Sequence, residues 1–243
     1  MSLSRSPNRA ALAPQSSSSH PHTWRPMAFG VRDPKHIRDP LCEPLWAGRR
    51  ALIHVGSDGV TIRDETAAEV EGFDDLRDAV RGASRAVELV LDGYLMPGPL
   101  RSNPVADTAP GADSMVTPAT ITRQMFLGGG GRNPRREAIE LAEARRVELT
   151  PDGPSAYVAI DLLWLDGESL LQVPLLERRR LLESALAEVD SVRHSMAVRP
   201  PVEAWYAQWK ALGIREFAIK DANSRYTPGG ASTDWTTAPI PRR

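Results

Sequence analysis

The run Ala51-Leu52-Ile53-His54-Val55, the residues Gly56-Ser57-Asp58-Gly59 and the run Val60-Thr61-Ile62-Arg63 constrain this fold most. An apolar, β-branched stretch that stops at Asp-Gly and then resumes reads as an antiparallel hairpin. The pattern recurs where Tyr157 to Leu165 closes on Asp166-Gly167, while Ala86 to Leu91 reads as a strand with Asp92-Gly93 at its end. Between these runs the period changes. Phe73, Leu76, Ala79 and Val80 are spaced for one face of a helix, Pro174 opens a second helix, and Val202 to Leu212 carries Trp205, Trp209 and Leu212 at helical spacing. The expectation is an α+β fold, with antiparallel strands near 51–55, 60–63, 86–91, 157–164 and 215–220 packed with helices.

A chain of 243 residues with 41% hydrophobic content can bury a substantial core. Its 30 Lys and Arg nearly balance 31 Asp and Glu, so no global positive field draws it to nucleic acid, and any such contact must be local. Only Lys35, Lys210 and Lys220 are lysines, so few amines are available as nucleophiles. The single Cys42 excludes an intramolecular disulfide and any multi-cysteine zinc site. Reducing conditions suit such a chain, and a cytoplasmic location is the expectation. No stretch approaches the roughly 18 apolar residues that span a bilayer, and no signal-peptide core is present, so no membrane association is expected.

Two organisational units follow. Residues 1–24, with Ser16-Ser17-Ser18-Ser19 and several prolines, are too polar to offset their ordering entropy and read as a disordered tail; His20 and His22 within it lack a third metal ligand. Residues 25–243 form one domain. Within it, the proline-rich stretch 97–118 and the run Gly128-Gly129-Gly130-Gly131 read as loops, and no Gly-Lys-Ser/Thr follows to make a phosphate-cradling loop. Arg135 to Glu148 reads as a helix whose arginines alternate with glutamates and so face solvent.

Ordered blocks along 25–237 carry motif layouts of their own. Glu43-Pro44-Leu45-Trp46-Ala47-Gly48-Arg49-Arg50 has the layout of the motif Lys-x-Asp-Gly-x-Arg preceded by Glu-Pro. Glu43, Pro44, Gly48 and Arg50 match; Leu45 stands at the nucleophilic lysine and Ala47 at the aspartate. Leu91-Asp92-Gly93-Tyr94-Leu95 matches Leu-Asp-Gly-Glu-Leu with Tyr94 for the glutamate. Ile160-Asp161-Leu162-Leu163 with Pro174-Leu175-Leu176-Glu177-Arg178-Arg179 resembles the Phe-Asp-Leu-Leu … Pro-Leu-x-x-Arg-Arg block, Ile160 replacing the base-stacking aromatic. Arg215-Glu216-Phe217-Ala218-Ile219-Lys220 resembles Glu-Gly-Val-Val-x-Lys, keeping the phosphate-binding lysine as Lys220 and placing Arg215 at a metal-binding position. The passage Ser224 to Trp235 resembles Ser-x-Tyr-x-Pro-Gly-x-Arg-Ser-x-x-Trp, but Thr237 and Pro239 replace the two distal lysines.

Taken together, these blocks resemble ATP-dependent DNA ligases, and the resemblance implies an ATP-grasp-like nucleotidyltransferase core without an OB-fold domain, functioning in DNA repair and recombination. It implies nucleotide contacts from Glu43, Gly48, Arg50, Ile160 and Lys220, a nucleophile position occupied by Leu45, and metal-ligand positions occupied by Tyr94 and Arg215. ATP binding is expected to be weak and Mg²⁺ binding absent, because a phenol neutral at pH 7 cannot act as a hard anionic ligand. Two readings stand: a non-catalytic module binding nucleotide, DNA or a protein partner, and a working ligase that uses another nucleophile, with Lys35, Cys42 and Lys220 as candidates.

Overall fold

The computed structural model describes residues 21–98, 149, 151 and 153–241. The Ser-rich segment 1–20, most of the proline-rich stretch, the tetraglycine run and the helix expected over 135–148 lie outside the described residues. The tail boundary drawn after residue 24 falls inside described structure: Pro21–Thr23 is a 3₁₀ turn and leads into Trp24, whose indole is buried.

Two sheets face one another. The larger runs β3 (Gly59–Asp64), β2 (Arg49–Gly56), β4 (Leu89–Pro97), β5 (Ser155–Leu165) and β6 (Glu168–Ser169), all antiparallel, with β7 (Val192–His194) added in parallel to β5. The smaller is β1 (Pro40–Pro44), β8 (Glu216–Asp221) and β9 (Trp235–Pro239), in that order and antiparallel. Helices α1 (Asp74–Ala83), α2 (Leu175–Ala185) and α3 (Tyr206–Ala211) pack against them. The mixed architecture with antiparallel sheets is the α+β class expected.

The β2–β3 hairpin forms where the sequence places it, with Gly56 paired to Gly59 across Ser57-Asp58 and Gly59 at φ 137°. Strand β4 departs from expectation. It runs from Leu89 through Asp92-Gly93 to Pro97 instead of ending at Leu91. The reason is tertiary: Asp92 is clamped by Arg50 of the adjacent β2, and Gly93 lets β5 approach so closely that a Cβ there would lie 2.2 Å from the Val158 carbonyl oxygen. Strand β1 is not among the strands expected from the sequence; it forms because its backbone pairs with β8.

Alternation along the strands separates two environments. Ala51, Ile53, Val55, Leu91, Leu95, Tyr157 and Ala159 point to one face of the large sheet and bury against α1 residues Leu76, Val80 and Ala83 and α2 residues Leu182 and Ala185. In the small sheet, Cys42, Phe217 and Ile219 face Trp209 of α3, with Val202 and Ile214. The opposite faces of the two sheets turn toward each other. There Leu52, Val90, Leu163, Leu41 and Trp235 join Trp24, Met27 and Tyr226 in a third apolar cluster.

Candidate functional site

Five strands and one helix bring the following side chains into this inter-sheet region. Arg50 comes from β2, Asp92 and Tyr94 from β4, Ile160 and Asp161 from β5, Glu43 from β1, Lys220 from β8, and Arg178 and Arg179 from α2. Irregular register between β4 and β5 sets part of the geometry. Asp92 pairs with Asp161 and Gly93 with Ala159, so Ile160 is an extra residue in the ladder. Such a bulge turns consecutive side chains to new directions. Ile160 packs with Leu45 and Tyr94, while Asp161 meets Arg178.

Leu45, Tyr94 and Ile160 form one buried apolar cluster, lined further by Phe29, Trp46 and Met96. The Leu45 amide donates to the Glu216 carbonyl at 3.0 Å, which continues the β1–β8 pairing to the edge of this cluster. The position that the resemblance gives to a nucleophilic amine is thus an aliphatic side chain 9% exposed. Burial pushes the Tyr94 phenol above its ordinary value, so it stays protonated and neutral at pH 7. Arg50 also donates to its hydroxyl at 3.1 Å.

The charged groups around the cluster are already paired. Arg50 donates from Nε and Nη2 to both Asp92 oxygens, at 2.5 and 2.6 Å, and its guanidinium lies over the Tyr94 and Phe29 rings. Burial opposes the Arg50 charge, but Asp92 prevails and holds its pKa above the ordinary value. The second Asp92 oxygen also accepts from the Tyr226 hydroxyl at 2.8 Å, and that hydroxyl accepts from the Met27 amide. Lys220 faces Glu43, whose other oxygen accepts from Arg179 Nη1 at 3.1 Å. Arg179 further donates to the carbonyls of Ile160 and Ser195. Burial lowers the Lys220 pKa, partly offset by Glu43 and reinforced by Arg50.

Not every position converges. Gly48 sits at the start of β2 in close contact with β4, where a Cβ would lie 2.3 Å from the Leu95 carbonyl oxygen; its glycine is accounted for by that approach. Ala47 and Arg215 are exposed, and the Arg215 carbonyl accepts from the Ile240 amide. Of the candidate nucleophiles, Lys35 is exposed on the 3₁₀ turn Pro34–His36, and Lys220 is buried against Glu43. Cys42 is buried in the α3-side core, where burial and then Glu43 push its thiol up to about 11. Sequence reading missed Asp92, Asp161, Arg178 and Arg179 as site-forming groups. Arg179 and Glu43 are separated by 136 residues, and the only local signal was the run Arg178-Arg179-Arg180 on a helix that buries one side.

Among the described residues, no group of three or more His, Cys, Asp or Glu is arranged to hold a metal ion, and no helix is long and apolar enough to cross a membrane. The residues do not fit an adenylated lysine with Mg²⁺. No amine stands at 45, the phenol of Tyr94 is protonated, and the carboxylates of Glu43 and Asp92 are engaged by arginine and lysine side chains.

The fold is that of a DNA-ligase nucleotidyltransferase domain. The ligase domain of M. tuberculosis LigD aligns over 91% of this chain and 61% of its own at a TM-score of 0.58 and 19% identity. A mycobacterial DNA ligase D complexed with ATP and MES aligns over 90% of this chain and 61% of its own, at a TM-score of 0.58 and 21% identity. In sequence, the family model for the ATP dependent DNA ligase domain matches residues 114–237. The DNA ligase of Thermococcus fumicolans is 26% identical over 209 residues, covering 83% of this chain and 36% of that protein. DNA ligase 2 of Methanosarcina mazei is 30% identical over 212 residues, covering 84% of this chain and 33% of that protein. The chain belongs to the ATP-dependent DNA ligase domain family, and it spans about a third of the length of these curated relatives.

Proposed function

We propose that this is a ligase-type adenylation domain that does not adenylate itself and serves as a non-catalytic module, in a DNA repair or recombination setting inherited from its family. One observation carries the reading: the Leu45–Tyr94–Ile160 cluster occupies the place where the family motif requires an amine and a carboxylate. Lysine adenylation needs an unprotonated amine held in line with the α-phosphate, and cations or Mg²⁺ to neutralise the leaving pyrophosphate. Leucine supplies no nucleophile, and a neutral phenol supplies no hard ligand. The second reading, a ligase with another nucleophile, has less support. Lys220 is tied to Glu43, and the Cys42 thiol is buried on the far side of the small sheet and protonated near neutral pH.

Intact-mass spectrometry after incubation with ATP and Mg²⁺ tests this. The wild-type chain is expected to gain no AMP adduct, and Leu45→Lys to gain none either, since Tyr94, Thr237 and Pro239 remain. Each missing electrostatic contact of this kind costs on the order of 10²-fold in rate. An adduct on the wild-type chain would make it an enzyme and overturn the reading.

A further inference from the structure

Residues 21–30 cross the inter-sheet region as a strap whose two halves are held differently. From Arg25 onward the backbone holds it. The Arg25 carbonyl accepts from the Gly229 amide, the Met27 amide donates to the Tyr226 hydroxyl, Ala28 bonds to Gly230 and Ser232, and the Gly30 amide donates to the Trp235 carbonyl. Ahead of Arg25, aromatic rings meet the large sheet. Trp24, 2% exposed, packs edge-on to Trp164 at 6.2 Å, and the exposed His22 stacks on His54 of β2 with ring centroids 5.1 Å apart and planes 20° from parallel. His54 is only 4% exposed and, two residues on from Leu52, shares its face of the sheet.

Histidine is the side chain whose ordinary charge change falls between about pH 5 and 8. One imidazolium over a neutral ring is tolerated as a cation–π contact, but two stacked imidazoliums repel, and a charge on His54 sits where water is largely excluded. The charged groups facing the stack come from each neighbouring element. Thr61 stands opposite His54 on β3, and Arg63 follows on the same side, 3.7 Å from Glu69. On β4, Val90 is opposite, and Asp92 beyond it is held by Arg50. Glu88, just before β4, is exposed and accepts from the Trp164 indole at 3.4 Å, while the Arg25 guanidinium of the strap lies beside Gly229.

We propose that the His22–His54 stack is an acid-sensitive catch: at neutral pH it holds the free half of the strap on the large sheet, and charging both rings releases it. Release uncovers Trp24 and the inter-sheet face around Leu52, Val90 and Leu163, which share its apolar cluster. The open strap takes up more protons than the closed one, so closure weakens as pH falls. The catch is independent of whether the domain adenylates itself.

Fluorine NMR of the chain labelled with 5-fluorotryptophan tests this, with Trp24→Phe assigning the Trp24 signal. In wild type the Trp24 and Trp164 signals are expected to move toward solvent-exposed positions with a midpoint between about pH 5 and 6.5, while Trp46, Trp205, Trp209 and Trp235 stay in place. His22→Phe and His54→Phe each keep a ring for stacking and remove one charge, so both are expected to hold Trp24 closed down to about pH 5. His22 is exposed, so His22→Phe decides the matter if His54→Phe does not fold. A Trp24 signal that ignores pH, a transition unchanged in His22→Phe, or one shared by all six tryptophans overturns the proposal.

Discussion

Leu45 does more than remove an amine: packed with Tyr94 and Ile160, it joins strands of both sheets through apolar contact. Returning a lysine there would bury a fifth cation among Arg50, Arg178, Arg179 and Lys220, so Leu45→Lys is expected to lower thermal stability as well as fail to be labelled. One residue before Glu43, the parity of β1 reverses the environment. Cys42 points away from Glu43 into the α3-side core, with its thiol pushed up to about 11 from 9.0 by burial first and Glu43 next. Between pH 9 and 11 the unfolded chain releases this proton and the native chain keeps it, so this group's contribution to stability falls as pH rises. Lys220 acts in the opposite sense, because its native pKa lies below 10.5 and the unfolded chain binds the proton more tightly. Comparing wild type with Cys42→Ala in denaturant melts isolates the thiol: the stability difference between them is expected to move against wild type from pH 9 to 11. An unchanged difference would mean that the thiol titrates normally. Thiol reagents at pH 8 should likewise label Cys42 only as fast as the chain opens.

At the scale of elements, α2 is fastened to β5 by a charge pair as well as by apolar packing. Leu182 and Ala185 pack on the large-sheet core, while Arg178, fully buried, donates to both Asp161 oxygens and to the carbonyls of Val173 and Ser224. Removing one partner leaves the other charge buried and unpaired, a loss of about 3–5 kcal/mol. Arg178→Met is therefore expected to lower unfolding free energy by that amount in urea melts. Arg178→Met with Asp161→Asn should lose less than the sum of the single variants, because the second change removes the orphaned charge. Additive losses would show that the two side chains act independently. The same logic explains why Arg178 and Arg179, within a run of three arginines on one helix, belong to the interior: both have carboxylates waiting on strands.

At the scale of the whole molecule, the two sheets meet over a region whose buried carboxylates are all engaged by arginine or lysine, so a nucleotide would have to displace existing ion pairs. Ligand binding to the native state raises stability by RT ln(1 + [L]/Kd), and weak binding at millimolar ligand gives almost nothing. ATP at about 1 mM is therefore expected to shift the melting temperature of the wild-type chain by less than about 1 °C, with or without Mg²⁺. A clear, Mg²⁺-dependent rise would show that carboxylates are available to a metal after all.

Local chemistry was enough to read the β2–β3 hairpin, the strand over Tyr157 to Leu165 and the helices beginning near Phe73 and Pro174, because apolar period and turn residues are properties of neighbouring positions. It was also enough to see that position 45 holds no amine and position 94 no carboxylate. The passage of β4 through Asp92-Gly93 and the formation of β1 were not legible, since each depends on a strand supplied from a distant part of the chain. Nor was the pairing of Glu43 with Lys220 and Arg179, or of Arg50 with Asp92. The sequence determined which chemical groups exist; the tertiary structure decided that those charges face one another, because burial between two sheets makes an unpaired charge costly and closure brings partners far apart in sequence into contact.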